Sequence, residues 1–415
     1  MRTSGKPRVL FLCQTLPFPP DGGVHLRTYN VMRLLSRHYD VTAICFFRKA
    51  TRPTPDVVAA STEGLRRIGD VQAFPIPQEH SRIRALWDHA RSVLRGTVYT
   101  RFVYDSIEFR DALRNELARK SFHLVHLDSM DLSRYLPELR GLPIVCTHHN
   151  IESDLLRRRA RTEAGVRGRY LAFQGRLMAR EEARWCNEVD LNITVSRADA
   201  ARLKSIAPGA RIRVVPNGVD CDFFTPDARD VDAHRVVFVG GYTWYPNRDA
   251  MEYMASEVMP ILRRLEPSVR VTWVGRPPPD ETSYTARAID PVGFVDDVRP
   301  YVWEAGCFIA PLRVGGGTRL KILDAMAMGK AIVSTSVASE GIEVQDGRDV
   351  LIADTPRDFA NAVHLVLRNP DLRNRLGRTA RETAQRLYDW RVIGEDMNLA
   401  YRELIDARHP QLASV

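Results

Sequence analysis

The sequence predicts an α/β protein of two doubly wound, parallel-sheet domains, and three observations carry that prediction. The chain has 415 residues, more than one ordinary hydrophobic core accommodates. It opens with an apolar run, a glycine loop, a helical pattern and a second apolar run, the pattern of a strand–helix–strand unit. The same series restarts at 236, after a polar stretch at 224–233 that carries Pro226 and marks a boundary. Such units align strands in parallel and gather ligands outside the strands' carboxyl ends. The expected domains are 1–228 and 229–388, with a terminal segment at 389–415.

Residues 9–13 are uniformly apolar and read as a buried strand, followed by a proline-rich turn and Gly22-Gly23. Residues 24–37 then place Leu26, Val31, Leu34 and Leu35 on one helical face, and 41–47 form the second strand. The loop is not a dinucleotide fingerprint. Val24 and His25 follow the glycine pair and no third glycine stands in place, so Arg48 and Lys49 after the second strand do not make an NADP site. Residues 81–104 are basic and amphipathic, with Ile83, Leu86, Trp87 and Leu94 on one face among Arg82, Arg84, Arg91 and Arg95. That pattern fits either a helix packed on the first domain or a surface meeting a membrane or an anionic acceptor. Short strands follow at 124–127, 144–147 and 191–195, and the arginine-rich run 157–185 has a helical period and reads as a solvated face. His148 and His149 directly follow the 144–147 strand, where an open sheet presents side chains to its ligand. Adjacent histidines cannot share a face, so at most one is functional, as a general base or as a donor to a substrate hydroxyl. The other is an ordinary buried polar group.

The second series starts after a strand at 214–220 that ends in a Pro216-Asn217-Gly218 turn. It runs through a strand at 236–239, a loop at 240–247, a helix at 250–265, a strand at 271–274 and a turn at 275–279. A strand at 350–352 and the helix Pro356–Arg368 close it. The apolar positions of a last helix, 390–404, need another surface, and it is expected to cross back to the first domain. The richest stretch is 313–330. The apolar run 307–312 reads as a strand broken by Pro311 and three glycines, with Thr318 as N-cap, 319–328 as a short helix and Gly329 as its left-handed stop. A glycine loop feeding a helix start cradles anions, because bare amides approach the ligand and the helix dipole adds roughly half a positive charge. Lys321 and Asp324 are three apart and neighbour each other on one helical face.

The bulk composition is globular, and the net charge of +9 suits anionic partners such as sugar nucleotides, lipid phosphates or an anionic membrane. The arginines are spread along the chain without a nucleic-acid-binding signature, so nucleic acid is not expected as a partner. The six cysteines form no C-x-x-C pair and mostly lie in apolar runs, so they are read as buried thiols in a reducing compartment rather than zinc ligands or disulfides. No apolar run reaches the ~18–20 residues of a membrane span and none has signal-peptide form, so a cytoplasmic protein is expected, with peripheral association at the inner membrane face.

Taken together these features resemble glycosyltransferase family 4, retaining enzymes of the GT-B fold. The resemblance rests on Gly22-Gly23, on the 147–152 run that contains His149, on 194–196, 215–219 and 239–240, on 274–275 and 293–295, and on the block 311–330, in that order and spacing. It implies two Rossmann-like domains facing a central cleft, with the nucleotide-sugar donor on the C-terminal domain and the acceptor on the N-terminal one. Asp324 matches the second acidic residue of the family's E-x7-E motif, which holds the nucleotide ribose. The first, which contacts the transferred sugar, falls at Gly316, where this chain departs from the pattern. The Arg and Lys that usually hold the diphosphate after the first C-domain strand are replaced by Gly241 and Asn247. In this chain the 316–321 run would supply the phosphate site instead.

The resemblance implies sugar transfer from a UDP- or GDP-sugar to a glycan, lipid-linked or small-molecule hydroxyl with retained configuration, as in polysaccharide biosynthesis. Negative charge growing on the departing diphosphate would be met by the amides of 316–318 with Arg319 and Lys321, without metal or other cofactor. An Asp220-Cys221-Asp222 triplet follows a turn and is not read as a metal motif. His149 would contact the donor sugar. Gly22, Gly23, Gly240, Gly241, Asn247, Arg276, Val295, Gly316, Gly317, Thr318 and Asp324 would bind the donor. Alternatives that share the architecture are a sugar-nucleotide epimerase or hydrolase, or a non-catalytic nucleotide-sugar-binding protein.

Overall fold

The computed structural model describes residues 5–20, 22–52, 54–163, 165–315 and 317–408, which divide into two compact units, 1–216 with 394–415 and 217–393. The first unit holds β1 (Arg8–Cys13), β2 (Asp40–Phe47), β3 (Asp70–Pro75), β4 (Leu124–Leu127), β5 (Ile144–His148), β6 (Leu191–Thr194) and β7 (Ile212–Val214). Their order is β3-β2-β1-β4-β5-β6-β7, and every pair is parallel. The apolar runs exist because both faces of the sheet are covered; in β1 every residue after Arg8 is buried. The helix Gly23–Leu35 lays Val31, Leu34 and Leu35 inward as its period predicts, while Leu26 is only half-buried.

The second unit holds β8 (Asp232–Val239), β9 (Arg270–Val274), β10 (Ile289–Gly293), β11 (Ala305–Ala310), β12 (Ile332–Ser334) and β13 (Leu351–Ile352). Their order is β10-β9-β8-β11-β12-β13, again all parallel. Together the two sheets are the Rossmann-like pair of a GT-B fold. One continuous core fills this unit around Phe238, Trp273, Ile309 and Phe359.

Four expectations shift. The strand expected at 214–220 is Ile212–Val214 and ends before the Pro216 turn. The contact boundary falls at 216/217 rather than 228/229, because the polar stretch read as a linker is tied into the second unit. Arg299 donates to the Phe223 carbonyl at 3.1 Å and Trp303 Nε1 to the Thr225 carbonyl at 2.7 Å. The helix expected at 250–265 begins earlier and is interrupted, running Tyr245–Tyr253, then a wide turn Met254–Val258, then Met259–Leu265. Pro260 lacks the N–H an unbroken ladder needs there. The strand expected at 307–312 is Ala305–Ala310, ending before Pro311.

The last helix, Trp390–Arg408, joins the first unit from Gly394 onward, as its apolar positions require. Met397, Ala400, Tyr401, Leu404 and Ile405 are buried, Tyr401 hydrogen-bonds His126, and Tyr39 Oη donates to Asn398 Oδ1 at 2.9 Å. All six cysteines are free and buried. No helix among the described residues is long and apolar enough to cross a membrane.

Candidate active site

In the second unit the chain leaves β8 toward β9 on one side and leaves β11 toward β12 on the other, so the strand order reverses between β8 and β11. Open α/β sheets bind ligands at such a point. Gly240 and Gly241 follow β8 there. Gly240 has φ 155°, and a Cβ on it would lie 2.6 Å from Asn247 Nδ2 and 2.7 Å from Lys321 Nζ, so only glycine fits. Gly240 N–H donates to the Val274 carbonyl at 2.7 Å, and its own carbonyl accepts from Trp273 Nε1 at 2.6 Å. This turn is therefore rigid before any ligand arrives.

Asn247 spans the site. Its Nδ2 donates to the Gly241 carbonyl at 3.1 Å and its Oδ1 accepts from Lys321 Nζ at 2.7 Å. The ammonium sits 4.4 Å above the centre of the Phe238 ring. Burial, and then the nearby Arg319 guanidinium, push the Lys321 pKa down to about 7. No carboxylate among the described residues pairs with it. Asp324, one turn further on, is pushed up to about 7 by burial, and no side chain among the described residues pairs with its carboxylate either. A cation and an acid three residues apart thus both titrate near pH 7, each lacking an oppositely charged partner among the described residues.

The helix carrying them is Leu320–Ala327, with Arg319 rather than Thr318 at the N-cap position and no side-chain cap. Arg319 turns back to the Gly317 carbonyl and reaches the Val337 carbonyl at 3.4 Å, while the Thr318 hydroxyl is buried without a hydrogen-bond partner among the described residues. Gly329, at φ 65°, stops the helix as expected. Gly316 lies outside the described residues. Arg313 anchors the start of the loop by ion pairs to Asp249 at 2.9 Å and Glu257 at 3.1 Å. Arg276 lies beside Gly241, its carbonyl accepting from Tyr242 N–H at 2.8 Å, with its side chain exposed. Val295 packs against the second unit's core, and no hydrogen bond among the described residues ties it to the Lys321 cluster. Asp220 Oδ1 accepts from the Asp222 and Phe223 amides, so the Asp220-Cys221-Asp222 triplet is a turn.

In the first unit the two histidines part as expected. His148 is buried, its Nε2 2.9 Å from Asn192 Oδ1, and burial pushes its pKa down to about 4. His149 instead places Nε2 3.4 Å from Asp128 Oδ2. Asp128 follows β4, accepts from Thr28 Oγ1 at 2.7 Å, and lies 3.5 Å from His126 Nε2. Burial alone would raise its pKa, but the two histidines hold it well below the carboxylate range. Thr28 comes from the helix that starts at Gly23, whose N-cap Gly22 is exposed, with open space where a Cβ would go. The Gly22–Gly23 turn, Asp128 and His149 thus share the β1/β4 switch point of the first sheet.

Sequence reasoning missed Asp128, although the strand-end rule that singled out His149 applies equally to it. It also missed an acidic group. Burial raises Asp131, and it raises Glu152 to about 8 with help from Asp131 and Glu182. The Asp131 Oδ1 is buried with no hydrogen-bond partner among the described residues. Among the described residues no group of three or more His, Cys, Asp or Glu is arranged to hold a metal ion.

Comparison with known proteins agrees with this architecture. A sequence profile described as "Glycosyltransferase Family 4" matches residues 21–223, and one described as "Glycosyl transferases group 1" matches residues 233–369. The chain is 27% identical over 305 residues to a phosphatidyl-myo-inositol mannosyltransferase of Mycobacterium tuberculosis, covering 69% of this chain and 75% of that one. It is also 27% identical over 150 residues to an uncharacterized 44.6 kDa protein in the cps region of Klebsiella pneumoniae, a match that spans 34% of this chain and 39% of that protein. Among solved structures, a sucrose-phosphate synthase from Thermosynechococcus elongatus superposes with a TM-score of 0.69 at 18% identity, covering 96% of this chain and all (100%) of that one.

Proposed function

The chain belongs to the group 1 glycosyl transferases, family 4, and from that membership we propose that it moves a sugar from a nucleoside diphosphate sugar to an acceptor hydroxyl with retained anomeric configuration. The observation that supports this reading best is Lys321. Its ammonium is held by Asn247 over Phe238 at the head of a helix, beside Arg319, with no carboxylate partner among the described residues. A buried cation is costly unless an anion completes it, and a diphosphate does so. The substitution at 247 does not remove a cation from the site. The asparagine positions one delivered from the helix.

On this reading Lys321, Arg319, the amides of Gly317 and Thr318, and the unpartnered Thr318 hydroxyl take the diphosphate and stabilise the charge that grows on it as the glycosidic bond breaks. Gly240 and Gly241 let the backbone approach it, and Asp324 accepts from the ribose hydroxyls. In the first unit His149, oriented by the Asp128 carboxylate, donates to a sugar hydroxyl. The acceptor is a polyhydroxylated molecule whose hydroxyls meet Asp131 and Glu152. The base and the sugar are assigned by screening nucleotide sugars for thermal stabilisation, since a bound donor raises the melting point by mass action. Turnover with a stabilising donor should persist in excess EDTA and give a product of the donor's own anomeric configuration by NMR. An inverted product, or a rate that EDTA abolishes and manganese restores, overturns this mechanism. Glycine at 316, where the family has a carboxylate, favours one second reading, a nucleotide-sugar binder without turnover. Tight donor binding with no transfer to any acceptor would establish it.

A further inference from the structure

The helix Arg82–Arg95 is built inside out. Its polar residues Asp88 and Ser92 are buried, at 1% and 0% exposure. Its apolar stripe faces solvent, with Ile83 at 79%, Leu86 at 72%, Trp87 at 58%, Val93 at 52% and Leu94 at 79%. The spacing 83, 86, 87, 90, 94 lies on one face along most of the helix, roughly 16 Å of continuous apolar surface. The helix does pack on the first unit, but through its polar face, and the stripe is left outward. What holds the helix in this orientation is polar. Asp88 lies 3.9 Å from Arg84 and 3.8 Å from Arg91, Ser92 Oγ donates to the Thr97 carbonyl at 2.7 Å, and Arg91 covers the Phe102 ring at 4.6 Å.

The charge around the stripe has one sign. Asp88 is the only acidic residue of the helix, and it is turned inward. Arg82 and Arg95 are exposed and make no hydrogen bond or ion pair among the described residues. The patch continues onto the helix Gly165–Trp185, whose Tyr170 Oη is 2.6 Å from His89 Nδ1. One turn before Tyr170, Val166 is exposed, and Arg169 is exposed beside it.

We propose that this outward face is a docking surface for an anionic lipid bilayer. Ile83, Trp87 and Leu94 enter the boundary between headgroups and acyl chains, with Leu86 and Val93 along one side. Arg82, Arg95 and Arg169 meet lipid phosphates at the rim. An aliphatic stripe with a central indole and a purely cationic margin complements such a surface in both polarity and charge. A protein partner would have to bring its own apolar groove rimmed by carboxylates, whereas an anionic bilayer supplies both features along its whole surface.

The test needs no sugar donor, so its failure would leave the donor-site reading intact. Purified protein is sedimented with vesicles of phosphatidylcholine alone and of two-to-one phosphatidylcholine and phosphatidylglycerol. The expected result is binding to the mixed vesicles only, weakened by salt. Arg82→Gln with Arg95→Gln should lower the partition coefficient by about 25-fold, about fivefold per arginine. Ile83→Ser, Trp87→Ser and Leu94→Ser together should abolish binding. All of these side chains are exposed, so both variants should keep the parent melting point. Equal binding to both vesicle types, no binding to either, or a dimer in light scattering that the triple serine variant dissolves would overturn the proposal; the last outcome would assign the face to a second copy of the chain.

Discussion

Donor binding above neutral pH should take up a proton. Lys321 in the free protein has a pKa pushed down to about 7, by burial and then by Arg319. At pH 8 such a lysine is about 90% neutral, whereas a lysine paired with a diphosphate returns toward ~10.4 and is fully charged. Binding should therefore take up about 0.9 of a proton at pH 8, and affinity should fall by close to tenfold per pH unit above that. Asp324, at about 7, is already about 90% ionised at pH 8 and contributes little. The assay is calorimetric titration of an intact nucleotide sugar in buffers of different ionisation enthalpy, because the terminal phosphate of a free nucleoside diphosphate would itself titrate. Lys321→Met should bind more weakly and show no uptake. Uptake near zero in the parent, or unchanged in the variant, would refute the assignment of Lys321 to the diphosphate. The apoprotein should show the opposite trend in stability. Between pH 7 and about 10 the unfolded chain holds more protons at this lysine than the folded one. Its penalty on folding is therefore full below 7 and lifts as pH rises.

Three further outcomes are expected. Asp324→Ala should weaken donor binding by ~1.5–3 kcal/mol, the value of hydrogen bonds to a charged group, and unchanged affinity by calorimetry would remove it from the ribose. Gly240→Ala should place a methyl within 2.7 Å of Asn247 and Lys321, costing ~1–3 kcal/mol in denaturant titrations and most of the donor affinity; a variant that keeps both would contradict the close approach. His148→Ala and His149→Ala should separate. The first should lose ~1–3 kcal/mol of stability, because Asn192 Oδ1 is left unpaired in the core, while the second should stay folded with a lowered kcat. His148 titrates near 4 when folded and near 6.5 when unfolded. The parent's stability should therefore rise with pH across that window, and the His148→Ala variant should show a shallower rise.

Where local chemistry decides an element, the sequence shows it. Pro356–Arg368 could be read to the residue because Pro356 follows the capping Thr355, whose hydroxyl accepts from the Asp358 amide at 3.2 Å. Where two distant segments decide it, the sequence does not. Asp128 has no motif around it and acquires its meaning only when the β1-β4-β5 order brings Thr28 and His149 to it. Asn247 reads in one dimension as a lost cation, because its link to Lys321 spans 74 positions. The stripe at 83–94 was visible as a period, but a period does not tell which way a helix is turned. The buried Asp88, held between Arg84 and Arg91, decided that.

The chain passes into the second unit at 217 and returns at 394 to place its last helix on the first unit's sheet, so in topology the second unit is an insertion within the first. During synthesis the unit begun first is finished last. Residues around Tyr39 and His126 wait, with an apolar groove uncovered, until some 270 further residues have been made and Tyr401 arrives. The insert, whose ends belong to one contiguous stretch, is free to fold in that interval. A chain truncated before 394 and released from the ribosome should accordingly protect the second unit from protease while leaving the first open to digestion.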